Sequence, residues 1–159
     1  MSRRHFALLL TLLAIPVLSY AFNSVKGEID PECQTTLPVT KISAAAGKKV
    51  ELTPYDPMKA AGGHCNYTSE GKLLLIISKF SGGARQFKSL SSADAAVAPK
   101  PLKGVGDEAV LKGSIYAPDY IVIARRGNSV VAVSSALSPF GDKALLAPEV
   151  LAAVANAAF

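Results

Sequence analysis

The sequence predicts an α+β domain: one antiparallel sheet of about 5–6 strands with roughly two to three helices packed on it, behind a signal peptide. Three observations lead there. Segments 72–80 and 104–135 are rich in aliphatic and β-branched residues, and turn residues interrupt them. Three other segments, near 38–46, 82–92 and 142–158, carry apolar residues at helical spacing. The helices fall outside the strand-rich runs, the segregation that separates α+β from α/β folds.

Taken in order, the chain opens with the physical marks of an export signal. Arg3 and Arg4 form a positive n-region, Phe6 to Leu18 an apolar h-region, and Ser19-Tyr20-Ala21 a small-x-small cleavage site. An apolar run of about a dozen residues is short of the roughly 20 that span a bilayer. Cleavage after Ala21 is therefore expected, with no stable membrane span afterwards; an uncleaved anchor is the alternative. Ser2-Arg3-Arg4-His5-Phe6 also resembles the start of a twin-arginine signal, although the usual Leu and Lys do not follow. No cysteine stands at the cleavage point, which disfavours lipid anchoring. A periplasmic or secreted location follows.

Without residues 1–21 the chain has 138 residues, enough for a single domain over 35–159 with a real core, after an extended lead-in over 22–34. Of the 17 basic residues two (Arg3 and Arg4) leave with the signal, so 15 face 12 acidic residues, a net charge of +3. These cations are scattered, not interleaved with aromatics in a stripe, which argues against a nucleic-acid partner. Cys33 and Cys65 form an even set in an oxidising compartment, which favours a disulfide; two free thiols are the alternative.

Asp30-Pro31 breaks the polar lead-in, which Cys33 ties down. Over Pro38 to Ala46, Val39, Ile42 and Ala46 share a helical face, with Pro38 suited to the first turn and Gly47 to a left-handed stop. Val50-Glu51-Leu52 reads as a short strand and Thr53 to Gly63 as a loop. Cys65 to Thr68, the turn Ser69-Glu70-Gly71 and Lys72 to Phe80 form a first hairpin. Ser81 is positioned to cap a helix that begins at Gly82, carries Ala84, Phe87 and Leu90 on one side, and ends near Ser92. Ala93 to Lys103, with Pro99 and Pro101, reads as a linker inside the domain. The last helix is expected over Asp142 to Ala158, capped by Asp142, interrupted near Ala147 by Pro148, and striped by Leu146, Val150 and Val154.

The centre of the prediction is Gly104 to Ser135. Gly127-Asn128 is a two-residue turn signal, which pairs Arg126 with Ser129, Ala124 with Val131 and Val122 with Val133. Directly opposed residues share a face. Val122, Ala124, Val131 and Val133 line one side, and Ile121, Ile123, Val130 and Ala132 the other, with Arg125 at the tip. Both faces are apolar, so the hairpin should lie in the middle of the sheet and be covered on both sides.

Cys33, Gly47, Cys65-Asn66-Tyr67, Gly104-Val105-Gly106-Asp107-Glu108-Ala109 and Arg126-Gly127-Asn128 together resemble a pattern in small bacterial envelope proteins and lipoproteins of unknown function. That resemblance spans most of the exported chain. It implies a PsbP-like α+β sandwich and a disulfide, and it brings no established catalysis. The chain departs from the pattern in lacking a lipidation cysteine and in carrying Pro38 where a Thr often caps the first helix.

Candidate chemistry is sparse. Gly104 to Ala109 fits G-x-G-x-x-[GA] by letter, but prolines precede it, a β-run follows, and two carboxylates would face the phosphates. The expected role is a turn whose Asp107 or Glu108 bonds nearby backbone to fix the following strand. His64 beside Cys65 would point to the opposite face of an extended chain, so a paired thiol is disfavoured. One histidine, two cysteines and scattered carboxylates make a poor zinc set. No cofactor and no catalytic residue is assigned. Asn66-Tyr67-Thr68 matches a glycosylation sequon only by letter. Arg125 and Arg126 at the hairpin tip, with Tyr116 and Tyr120 before it, are the best binding candidates, because Arg and Tyr concentrate at interaction hot spots. Asp107 and Glu108 join them. The expected function is a non-enzymatic binding or accessory domain for an unknown protein or envelope component. Alternatives are a small periplasmic hydrolase using Asp107 or Glu108, or a secreted enzyme inhibitor presenting the 126–129 loop.

Overall fold

A computed structural model describes residues 31–54, 64–92, 97–113, 119–139 and 143–159. The signal segment, Tyr116, Asp142 and most of the Thr53–Gly63 loop lie outside the described residues. The architecture is α+β, an open antiparallel sheet with helices on both faces.

Seven strands and four helices are present among the described residues, more than the sequence predicts. The chain runs α1 (Pro31–Thr36), α2 (Val39–Ala46), β1 (Glu51–Thr53), β2 (His64–Ser69), β3 (Lys72–Ser81), α3 (Gly83–Ser92), β4 (Lys100–Leu102), β5 (Glu108–Lys112), β6 (Ile121–Arg126), β7 (Ser129–Ser135) and α4 (Pro148–Ala157). The strands lie in the order β1-β2-β3-β7-β6-β5-β4, and every neighbouring pair is antiparallel.

The hairpin is central, as its two apolar faces require. Its register is Arg126 to Ser129, Ala124 to Val131 and Val122 to Val133. Of the two turn residues only Gly127 takes a positive φ, 57°. Val122, Ala124, Val131 and Val133 are fully buried in the main core beneath α4, against which α2 packs. On the opposite face α3 packs on β6 and β7, where Ile123 and Val130 are buried.

Covalent and polar ties hold the first helices to the sheet. Cys33 in α1 and Cys65 in β2 form a disulfide with their Cα atoms 5.5 Å apart. The Tyr67 hydroxyl, fully buried, donates to the Leu37 carbonyl at 2.6 Å. Burial pushes this phenol well above its ordinary ionisation range. Ile42 and Ala46 of α2 enter the core, and Gly47 ends the helix at φ 67°.

Several boundaries differ from expectation, each for a local reason. Residues 31–34 are helical, not extended. Pro31 supplies a first-turn φ, Glu32 suits the positive helix end, and the Thr35 and Thr36 hydroxyls donate back to the Pro31 and Glu32 carbonyls. Pro38 stands one step outside α2 at φ −61°, ψ 139°. Ser81 is the last residue of β3, paired with Ser129, and α3 starts at Gly83. The N–H groups of Gly82 and Gly83 donate to the Asn128 carbonyl, so the hairpin turn supplies what a capping side chain would.

The presumed linker contains β4, an edge strand that tolerates Pro101 because an outer edge needs no donor there. The last helix starts at Pro148 in the first-turn position. Leu146 precedes it, its N–H donating to the Ser135 hydroxyl. The buried stripe is Leu151, Val154, Ala155 and Ala158.

Candidate functional site

Four of the six predicted binding residues meet at one end of the hairpin, where the 104–108 loop, the β6–β7 turn and the end of α4 converge. Gly106 allows the convergence. It holds φ 56°, and a Cβ there would collide with the Arg125 carbonyl oxygen. That closeness lets the Asp107 N–H donate to the Arg125 carbonyl at 2.7 Å. It also brings the Asp107 carboxylate over the hairpin turn, where Oδ2 accepts the Gly127 N–H at 2.7 Å.

Arg125 collects the charges. Its Nη1 lies 3.4 Å from Asp107 Oδ2, and its Nη2 lies 3.4 Å from Glu108 Oε1. Nη1 also donates to the Gly127 carbonyl at 3.0 Å. Its Nε is buried without a hydrogen-bond partner. Asp107 and Glu108 are adjacent in sequence yet reach the same guanidinium, because Asp107 precedes the strand and only Glu108 lies in it, directly opposite Arg125. Each carboxylate is about half exposed, so these ion pairs are worth little individually. What they do is fix a loop to a turn.

Arg126 points to the other side of the strand. Its guanidinium sits 4.7 Å from the Phe159 ring centroid and donates to Asn156 Oδ1 at 3.3 Å. Asn156 is the residue that sequence reasoning missed. Its Oδ1 accepts the Gly106 N–H at 3.2 Å and its Nδ2 donates to the Gly104 carbonyl at 2.8 Å, so one amide closes the glycine loop. A lone polar residue in the alanine-rich run Leu151 to Phe159 was the available signal.

Tyr120 lies elsewhere. It precedes β6 at the far end from Arg125, about 17 Å along an extended strand, and its backbone bonds the Lys112 carbonyl and the Ser135 N–H. Hot-spot residues grouped in sequence are thus divided between two ends of one strand. The disulfide removes both sulfurs from nucleophilic or metal-binding roles. Among the described residues no three His, Cys, Asp or Glu side chains come together as a metal cluster.

Compared with known proteins, the chain matches no family model, no curated protein and no solved structure. Function must therefore be read from its own geometry. At the hairpin end that geometry is a lock. Asp107, Glu108, Arg125, Arg126 and Asn156 engage one another and the backbone, joining three chain segments distant in sequence.

Proposed function

We propose that the protein is an exported, non-enzymatic binding or accessory domain of the cell envelope. The observation that carries this reading is the mutual engagement of Asp107 and Glu108 with Arg125 and the Gly127 backbone, which commits the best candidate catalytic groups to holding the fold. The Cys33–Cys65 disulfide is consistent with an oxidising, extracytoplasmic compartment. The resemblance to small envelope proteins of the PsbP-like type points the same way. Among the described residues no helix is long and apolar enough to cross a membrane.

Expression of the full chain, cell fractionation and intact-mass analysis test the proposal. The expected product lies in the extracytoplasmic fraction, lacks residues 1–21 and carries its disulfide. In-cell crosslinking should then recover an envelope component. A reduced, full-length protein retained in the cytoplasm would overturn the reading, as would hydrolytic activity abolished by Asp107→Asn in a folded variant.

A further inference from the structure

We propose that the groove between the β2–β3 turn and the segment leading into α4 is a docking surface for an anionic phospholipid bilayer. Leu73 and Leu145 are the two large apolar side chains left exposed among the described residues, at 41% and 45%. Although far apart in sequence, both line one open groove of about 540 Å³. Backbone bonds bring them together: the Ala136 N–H donates to the Leu74 carbonyl at 2.8 Å and the Leu145 N–H to the Ala136 carbonyl at 2.9 Å. The segment before α4 is thereby laid beside the start of β3.

The groove's charged residues supply the second half of the recognition. Lys48, Lys49 and Lys72 line it together with Glu51 and Glu70. Lys49 lies 3.5 Å from Glu51, which offsets one ammonium. Lys48 and Lys72 have no ion-pair partner among the described residues, and Glu70, on the turn, is the one opposing carboxylate. Exposed leucines flanked by lysines suit an interface in which apolar side chains reach the acyl boundary while long cationic stems place their heads among the phosphates. The inference rests on the envelope reading and deepens it by naming the partner's chemistry.

Cosedimentation with vesicles tests it, using protein and variants made from the full chain, with intact mass showing that all carry the same N-terminus. Vesicles containing phosphatidylglycerol should bind the protein and pure phosphatidylcholine vesicles should not, with binding weaker at about 500 mM salt than at about 50 mM. Lys48→Gln and Lys72→Gln should each lower partitioning about five-fold, and Glu70→Gln should raise it by a similar factor. The double variant Leu73→Ser, Leu145→Ser should lower it more than about ten-fold while thermal unfolding stays two-state. Absence of binding to anionic vesicles, equal binding to neutral ones, or binding indifferent to these substitutions would overturn the inference. So would an acidic peptide that binds the groove when vesicles do not, or a dimer that the leucine variant dissociates. Export is read separately from the mass, so a processed protein that ignores lipid refutes the docking surface and leaves the envelope reading standing.

Discussion

Replacing Gly106 by alanine should be far more damaging than replacing Gly104, although both sit at positive φ in the same loop. Gly104 is at φ 78° and Gly106 at φ 56°, so alanine at either position meets a left-handed backbone that costs about 1 kcal/mol. Around a Cβ at Gly104 there is nothing within 4 Å, so that strain is the whole effect. At Gly106 the added carbon meets the Arg125 carbonyl oxygen, and the loop must withdraw from β6. Withdrawal stretches the Asp107 N–H bond to that carbonyl and the Gly106 N–H bond to Asn156, each worth about 1 kcal/mol. Gly106→Ala should therefore destabilise by about 3 kcal/mol against about 1 for Gly104→Ala. Urea unfolding with a shared m-value reads the difference directly. In thermal unfolding the two variants should melt about 10 °C and about 4 °C below the parent. Equal losses in the two variants would refute the close approach of the 104–108 loop to β6.

Three further outcomes are expected. Thiol labelling of the native protein should find no reactive cysteine until reductant is added, and reduction should lower stability by about 4 kcal/mol, the loop-closure entropy for a separation of 32 residues. Tyr67→Phe should cost about 1–3 kcal/mol in chemical denaturation, because it leaves the buried Leu37 carbonyl unpaired. The folded phenol titrates above its unfolded value, so its contribution is complete below about pH 10 and is lost as pH rises further. Stability of the parent should then fall about 1.4 kcal/mol per pH unit relative to Tyr67→Phe. Asp107→Ala should destabilise by about 1 kcal/mol through loss of the Gly127 bond, and Asp107→Asn by less, since its amide oxygen can still accept that N–H.

The central hairpin was legible because one Gly-Asn pair fixes the register, and register assigns every flanking side chain to a face. The face of α2 was legible for a similar reason, as Ile42 and Ala46 stand one turn apart before a left-handed glycine. The disulfide followed from the even cysteine count together with the expectation of an oxidising compartment. The missed elements are those whose stability is not local. A six-residue α1 is too short for periodicity to register and is held by Cys33 and by the Tyr67 bond beside it. β4 contains Pro101 and exists only as the edge partner of β5. In α4 half of the true stripe is alanine, Ala155 and Ala158 beside Leu151 and Val154, which carries a weak hydrophobic signal, and the eye is drawn to Leu146 instead. At the hairpin end the chemistry-bearing residues were found, but not their arrangement. Asn156 lies 52 residues from the carbonyl it holds, and no sequence spacing announces such a pair.

The β3–β7 seam joins two halves of the chain that otherwise form their sheets separately, β1 to β3 on one side and β4 to β7 on the other. Its contacts span long stretches, with Ile77 opposite Val133, 56 residues later. Until the final hairpin arrives, β3 presents a bare row of amides and carbonyls along an aliphatic strand, the kind of margin that recruits other chains. Synthesis from the N-terminus delivers β7 as the last of the seven described strands. Completion of the sheet is thereby postponed until β7 has been made, and the interval just before closure is the chain's most adhesive one.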